Sequence, residues 1–154
     1  SLEALELATR KAGTVAALVV MPNFSNPLGS LMPDASKKRM VTLMAERGIP
    51  VVEDDIYGDL HFDERRPKPA KAFDRNGGVM LLSSFTKTVA PGLRVGWIAP
   101  GRWQPQVSML KLINTVSTAT LGQEVIAEFL ATGGYDRHLR SLRSAFRDQV
   151  ARMS

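Results

Sequence analysis

Short apolar runs, separated by longer stretches of mixed polarity, recur along the whole chain. Residues 2–11 are helix formers with apolar side chains at Leu2, Leu5 and Ala8, a spacing that lines one helical face, and Gly13 follows as a stop. Residues 15–21 are continuously apolar and predict a fully buried strand. Residues 22–29 are rich in turn formers and predict a loop. Pro33-Asp34 opens a helix that runs to about Arg47, with Gly48 at the position that closes it. A second buried strand spans 49–54 and ends in acid. Residues 65–70, rich in Pro, Lys and Arg, predict an exposed connection, and Asn76-Gly77-Gly78 a turn. A third strand covers 79–84; after Pro91-Gly92 a fourth covers 93–99, ended by Pro100-Gly101. From Gln104 onward the pattern is helical, broken near 117–120 and at Gly133-Gly134.

Strands separated by helical segments predict an α/β fold. The expected form is a three-layer sandwich with a mostly parallel sheet, followed by C-terminal helices. Ligands of such sheets bind at the carboxyl ends of the strands. Asn26 follows the first strand, Asp54 and Tyr57 end the second, and Ser84, Thr86 and Lys87 follow the third. That convergence is what first points to a site.

Composition narrows the classes. The chain has 154 residues, 44% of them hydrophobic and 23% charged, which supports a packed core and argues against disorder. No run reaches the roughly 18 apolar residues of a membrane helix. The acidic start, Ser1-Leu2-Glu3-Ala4-Leu5-Glu6, lacks the basic-then-apolar order of a signal peptide. Absence of cysteine excludes disulfides, thiolate chemistry and Cys-ligated metal, and fits a cytoplasmic protein. The methionines Met21, Met32, Met40, Met44 and Met80 read as core filling. Neither His61 nor His138 forms a metal pattern by itself.

Three motifs carry candidate chemistry. In Ser84-Phe85-Thr86-Lys87-Thr88 a lysine lies between hydroxyls just after a buried strand, and Arg94 follows the next turn. Hydroxyls, loop amides and a planar guanidinium suit a phosphate dianion; taken singly, Lys87 and Arg94 also read as surface charges. In Glu53-Asp54-Asp55-Ile56-Tyr57 a carboxylate at a strand end can pair with a protonated heteroaromatic nitrogen. A Mg²⁺ site from Glu53, Asp54, Asp55 and Asp59 is the rival, opposed by the alternation of side chains along a strand. A solvated acidic turn is the third possibility, and Tyr57 also reads as a core ring. In the third motif, Asn26-Pro27-Leu28-Gly29, a turn can present the Asn26 amide to a ligand.

Together and in this order the motifs resemble the fold-type I pyridoxal-phosphate (PLP) enzymes, the aminotransferase class I/II family. Asn26-Pro27-Leu28-Gly29 looks like its Asn-Pro-x-Gly signature and Asp54 with Tyr57 its Asp-x-x-Tyr pair. Ser84-Phe85-Thr86-Lys87, followed by Gly92-Leu93-Arg94-Val95-Gly96-Trp97, looks like its Schiff-base segment. The resemblance implies that Lys87 holds the cofactor and, once freed by an amino-acid substrate, moves the proton between Cα and the cofactor carbon. It implies that Asp54 pairs with the pyridinium nitrogen and that Asn26 and Tyr57 hydrogen-bond the phenolic oxygen. Ser84, Thr86 and Arg94 would hold the phosphate. It also implies a cis Asn26–Pro27 peptide, a homodimer in the intact parent, and an amino-acid or amine ligand.

The tail, from Gly133-Gly134-Tyr135 to Arg143, resembles that of the aminotransferase-like domains of MocR-type regulators, a GntR subgroup; it is also similar to some free-standing transaminases. In such regulators an N-terminal winged-helix domain reads DNA. Tyr135, Leu139, Leu142, Phe146, Val150 and Met153 form an apolar stripe, and Arg137, Arg140, Arg143 and Arg147 a basic one. The basic face reads as solvated, with contact to DNA phosphates as the rival. The expected organisation is part of a PLP-binding large domain over 1–132, with 133–154 beginning the connection to a small domain. The phosphate loop, the ring stacked on the cofactor and the substrate-carboxylate arginine of the family have no counterpart here. The chain alone is therefore expected to bind PLP weakly or not at all.

Overall fold

Four strands lie side by side in chain order in a computed structural model that describes residues 1–11, 13 and 15–153. Helix α1 (Leu2–Ala8) precedes strand β1 (Leu18–Val20), helix α2 (Asp34–Glu46), strand β2 (Val51–Asp54), strand β3 (Val79–Ser84) and strand β4 (Gly96–Ala99). Helices α3 (Gln104–Thr115), α4 (Thr120–Ala131) and α5 (Gly134–Met153) complete the chain. The fold is mixed α/β with a mostly parallel sheet and C-terminal helices, as expected. No described helix is long and apolar enough to cross a membrane.

The register decides which residues share a face. Val51 pairs with Leu18 and Val79, and Glu53 with Val20 and Leu81, so these side chains point to one side. That side meets α2: Met40, Val41 and Met44 bury against Val51, Val79 and Ala70, each at 5% exposure or less. The i, i+4 spacing of Met40 and Met44 stacks two long side chains on the same helical face. Val19, Val52, Asp54, Met80, Leu82 and Ser84 point to the opposite side.

The structure departs from the pattern in three places and settles the direction of β4. Strand β1 is short and not fully buried, because Val19 lies on the side away from α2 and is 73% exposed. Strand β4 runs antiparallel to β3, with Ser84 opposite Gly96. The link between them holds only a turn and the 3₁₀ segment 91–93, with no helix to carry a parallel crossover. Strand β4 also starts later than expected, since residues 91–93 form a 3₁₀ turn and Arg94 is left-handed at φ 50°. The 65–70 connection is not simply exposed: Ala70 is in the core, and half-buried Arg66 pairs with the buried Asp55.

Candidate functional site

Strand β3 delivers its last residue, Ser84, into a tight turn over 85–89. Phe85 N–H bonds Val95 O at 3.0 Å, and Val89 N–H bonds Phe85 O at 2.8 Å. Ser84 Oγ stands 2.7 Å from Thr86 Oγ1 and accepts from Thr86 N–H at 3.1 Å. Arg94 Nη1 reaches Thr86 Oγ1 at 3.5 Å. Gly96 permits this approach: a Cβ there would sit 2.9 Å from Ser83 O, so the returning strand passes closer than a side chain allows. Two hydroxyls and one guanidinium thus gather at one point. Lys87 is exposed on the turn, and its amine makes no hydrogen bond or ion pair among the described residues.

The acidic run at the end of β2 separates by alternation. Glu53 is fully buried on the α2 side; its oxygens accept from Ala70 N–H at 2.6 Å and Lys71 N–H at 2.8 Å. Burial pushes its pKa up, and the two amides only partly offset that. Asp55, also buried, accepts from Asn23 Nδ2 at 2.8 Å and from Arg66 Nη2 at 2.6 Å. Arg66 Nε donates to Asp59 at 2.6 Å. Burial works against the Arg66 charge, but the carboxylates of Asp59 and Asp55 outweigh it and raise its pKa. Between these two, Asp54 points the other way. Its Oδ1 accepts only the Ile56 N–H, at 3.1 Å, and no cation among the described residues pairs with it. A Mg²⁺ cage from these acids is therefore not built, because Glu53 and Asp55 are turned away and already engaged.

Asn26 and Tyr57 come together elsewhere. Both line an open cavity of about 700 Å³, with Pro27, Leu60, Phe146 and Val150 among its other walls. The Asn26–Pro27 peptide is cis, in agreement with the expectation. Asp54, Ser84, Thr86, Lys87 and Arg94 do not line this cavity. The structure therefore joins Ser84, Thr86 and Arg94 by hydrogen bonds, sets Asp54 on the same side of the sheet as Ser84, and groups Asn26 with Tyr57.

The basic stripe of α5 is half engaged. Arg143 Nε donates to Asp59 O at 2.7 Å and Arg147 Nη2 to Phe62 O at 2.5 Å, while Arg137 and Arg140 stay exposed. Those bonds clamp α5 to the segment after β2. Asn23, Asp55, Asp59, Arg66 and Tyr135 form a polar network that the motif reading passed over. Strand alternation was the available signal for Asp55. Nothing local announces the bond from Tyr135 to Asp59, since the two are far apart in the chain.

Against known proteins, the chain matches the family model described as aminotransferase class I and II over residues 1–153. It is 39% identical over 151 residues to YjiR of Escherichia coli (strain K12), named an uncharacterized HTH-type transcriptional regulator, covering 98% of this chain and 32% of that protein. It is 37% identical over 135 residues to the HTH-type transcriptional regulator NorG of Staphylococcus aureus (strain bovine RF122 / ET3-1), covering 86% and 30%. The chain thus spans about a third of the length of these curated relatives. Among solved structures it resembles LysN, an alpha-aminoadipate aminotransferase from Thermus thermophilus complexed with N-(5'-phosphopyridoxyl)-L-leucine. There the TM-score is 0.85 and the identity 33%, over 96% of this chain and 39% of that one. It also resembles the kynurenine aminotransferase of Pyrococcus horikoshii, solved with PMP, at TM-score 0.86 and 30% identity, over 94% and 37%.

Proposed function

The chain belongs to the aminotransferase class I and II family, and from that premise we propose that it is the PLP-binding, effector-sensing part of a MocR/GntR-type transcription regulator. Residues 1–132 are read as part of the large domain and 133–154 as the start of its connection to a small domain. Such a regulator acts in the cytoplasm and reads DNA through an N-terminal winged-helix domain.

The carrying observation is the difference among Glu53, Asp54 and Asp55. Only the middle carboxylate lacks a strong partner, and it faces the side where Ser84 ends its strand. The donor set fits the cofactor: Lys87 supplies an unpaired amine, and Ser84, Thr86 and Arg94 supply donors for a phosphate. Asp54 would face the ring nitrogen, and Asn26 and Tyr57 the phenolic oxygen. When bound, PLP supplies an electron sink for charge that develops at an amino acid's Cα. Lys87 then serves as the local base that takes or returns that proton. An amino-acid or amine ligand shifts a conformational equilibrium by binding one state better.

The likeness to regulators at up to 39% identity favours sensing. The likeness to LysN at 33% supports a second reading, a free-standing amino-acid transaminase. A homodimer is supported by α3, where Met109, Leu112 and Ile113 recur at helical spacing and are 57–70% exposed.

The test uses the full-length protein. PLP should add a visible absorption band, and borohydride followed by peptide mass spectrometry should leave the cofactor on Lys87. Lys87→Ala should abolish both; a band that survives in that variant overturns the assignment. Ligand-dependent DNA affinity without amino transfer across an amino-acid panel supports the sensor. Turnover without DNA binding supports the transaminase.

A further inference from the structure

Tyr135 opens α5 far from the candidate lysine in sequence, yet it touches both sides of the turn that carries it. Its ring meets Phe85 edge-on, with centroids 5.8 Å apart and planes at 81°, and meets Phe129 at 6.3 Å and 82°. Its hydroxyl lies 3.0 Å from Asp59 Oδ2 and 3.2 Å from Thr88 Oγ1. Phe85 stands two residues before Lys87 and Thr88 one residue after it. Thr88 is 3% exposed, so its hydroxyl depends on a protein partner.

The proton inventory sets the direction of these bonds. A phenol has one proton and a carboxylate can only accept, so Tyr135 donates to Asp59. The Thr88 hydroxyl is then the donor to the phenol oxygen. Asp59 is itself held: its other oxygen takes Arg66 Nε, and its backbone carbonyl takes Arg143 Nε at 2.7 Å. Burial, with the neighbouring Asp59 charge, pushes the Tyr135 pKa up to about 12, so the donor persists through the physiological range. The Lys87 amine, by contrast, has no partner among the described residues, and its chain is a flexible four-carbon stem. Its placement therefore comes from the backbone of residues 85–89, whose internal support is the Phe85 carbonyl accepting from Val89 and Ala90 at 2.8 and 3.3 Å.

We propose that Tyr135 is a positioning residue for Lys87. It pins the turn from inside by joining Thr88 to Asp59, and so ties the placement of the lysine to the docking of α5. The role rests on the reading of Lys87 as the cofactor lysine. Its consequence is that displacing the first turn of α5 should alter the turn at residues 85–88. Removing the phenol leaves both Arg66 ion pairs in place, so the effect is local to the turn.

The experiment compares Tyr135→Phe, which keeps both ring contacts, with Thr88→Val and Thr88→Ser in the full-length protein. Amide hydrogen exchange is read first, without cofactor. Tyr135→Phe and Thr88→Val should speed exchange at Val89 and Ala90 roughly tenfold, the scale of one lost buried hydrogen bond, while Met40, Met44 and Val51 stay unchanged. Thr88→Ser, which keeps the hydroxyl, should restore slow exchange. With PLP, the first two variants should capture the cofactor several-fold more slowly and displace the pH midpoint of its visible band. Wild-type exchange at 89–90 together with a wild-type midpoint, in both Tyr135→Phe and Thr88→Val, overturns the proposal. Failure of the Lys87 reading shows separately, as a borohydride-sensitive band in Lys87→Ala; the exchange readout still decides whether Tyr135 pins the turn.

Discussion

The two sides of the sheet treat charge in opposite ways. On the α2 side, Lys37, Glu53 and Asp55 are all at 1% exposure or less, and each is satisfied: Lys37 by Lys68 O at 2.7 Å, Glu53 by two amides, Asp55 by Asn23 and Arg66. Asp54, at the end of β2, points the other way; neither it nor Lys87, exposed on the turn after β3, has an ionic partner among the described residues, and Arg94 has one long bond to a hydroxyl. A buried charge survives only when neutralised or hydrogen-bonded, so the first group is architecture. Groups left open beyond the carboxyl ends of strands are available to a ligand. Chemical type does not separate the two regions; three successive acids, Glu53, Asp54 and Asp55, belong to one or the other according to which way the strand turns them.

Exchanging the two regions should therefore exchange the phenotype. Asp55→Ala removes the acceptor of Asn23 and one of the two carboxylates on Arg66, and should destabilise the fold by about 2–3 kcal/mol in urea unfolding, just below the range for breaking a fully buried pair because Arg66 is 34% exposed and keeps Asp59. Asp54→Ala, one residue away, should change stability by less than about 0.5 kcal/mol and weaken PLP binding instead. Equal stability losses at the two positions would break the distinction.

A medium effect sharpens it through pH. Burial opposes the charge of Asp74, but N–H donors from Val79, Asn76 and Gly78 outweigh burial and hold its pKa below 3.8. A folded pKa below the unfolded one means stability that is present above the usual aspartate range and lost as pH falls through the lower, folded value. Asp74→Asn keeps one acceptor oxygen and should cost about 1 kcal/mol at pH 7. The gap to wild type should close as acid unfolding is followed below the ordinary aspartate pKa; a constant gap would mean the charge is irrelevant there.

The smallest effect belongs to the surface. Arg39 approaches Glu3 at 3.8 Å and Glu6 at 3.5 Å, all three more than 40% exposed. Arg39→Ala should cost less than about 0.5 kcal/mol and be masked by salt. A larger loss would show that exposed pairs on α1 and α2 carry weight that this reading gives only to buried ones.

Much of the architecture was legible because it is written in local chemistry. The apolar run 79–84 is a strand end to end, and the helix opened at Pro33-Asp34 closes with Gly48 at φ +67°. The breaks near 117–120 and at Gly133-Gly134 separate α3, α4 and α5. Less visible was direction: an apolar run does not say whether it pairs parallel or antiparallel, and β4 returns antiparallel through a link that holds no crossover helix. Nor does a run of valines reveal how its neighbours cover it, which is why Val19 reads as buried and is not. The Arg143 and Arg147 side chains looked like part of a solvated stripe; the carbonyls that receive them lie near residue 60, beyond any helical period.

From sequence alone came the elements, the family resemblance and the candidate residues Asn26, Asp54, Tyr57, Ser84, Thr86, Lys87 and Arg94, because motif spacing and hydrophobic period act over a few residues. The folded chain alone decided which acids are spent on Arg66 and backbone amides, which one is left open, and that Tyr135 meets the turn of Lys87. Those outcomes depend on hydrogen bonds between residues 7 to 76 positions apart, whose partners are chosen by packing rather than by helical or strand period.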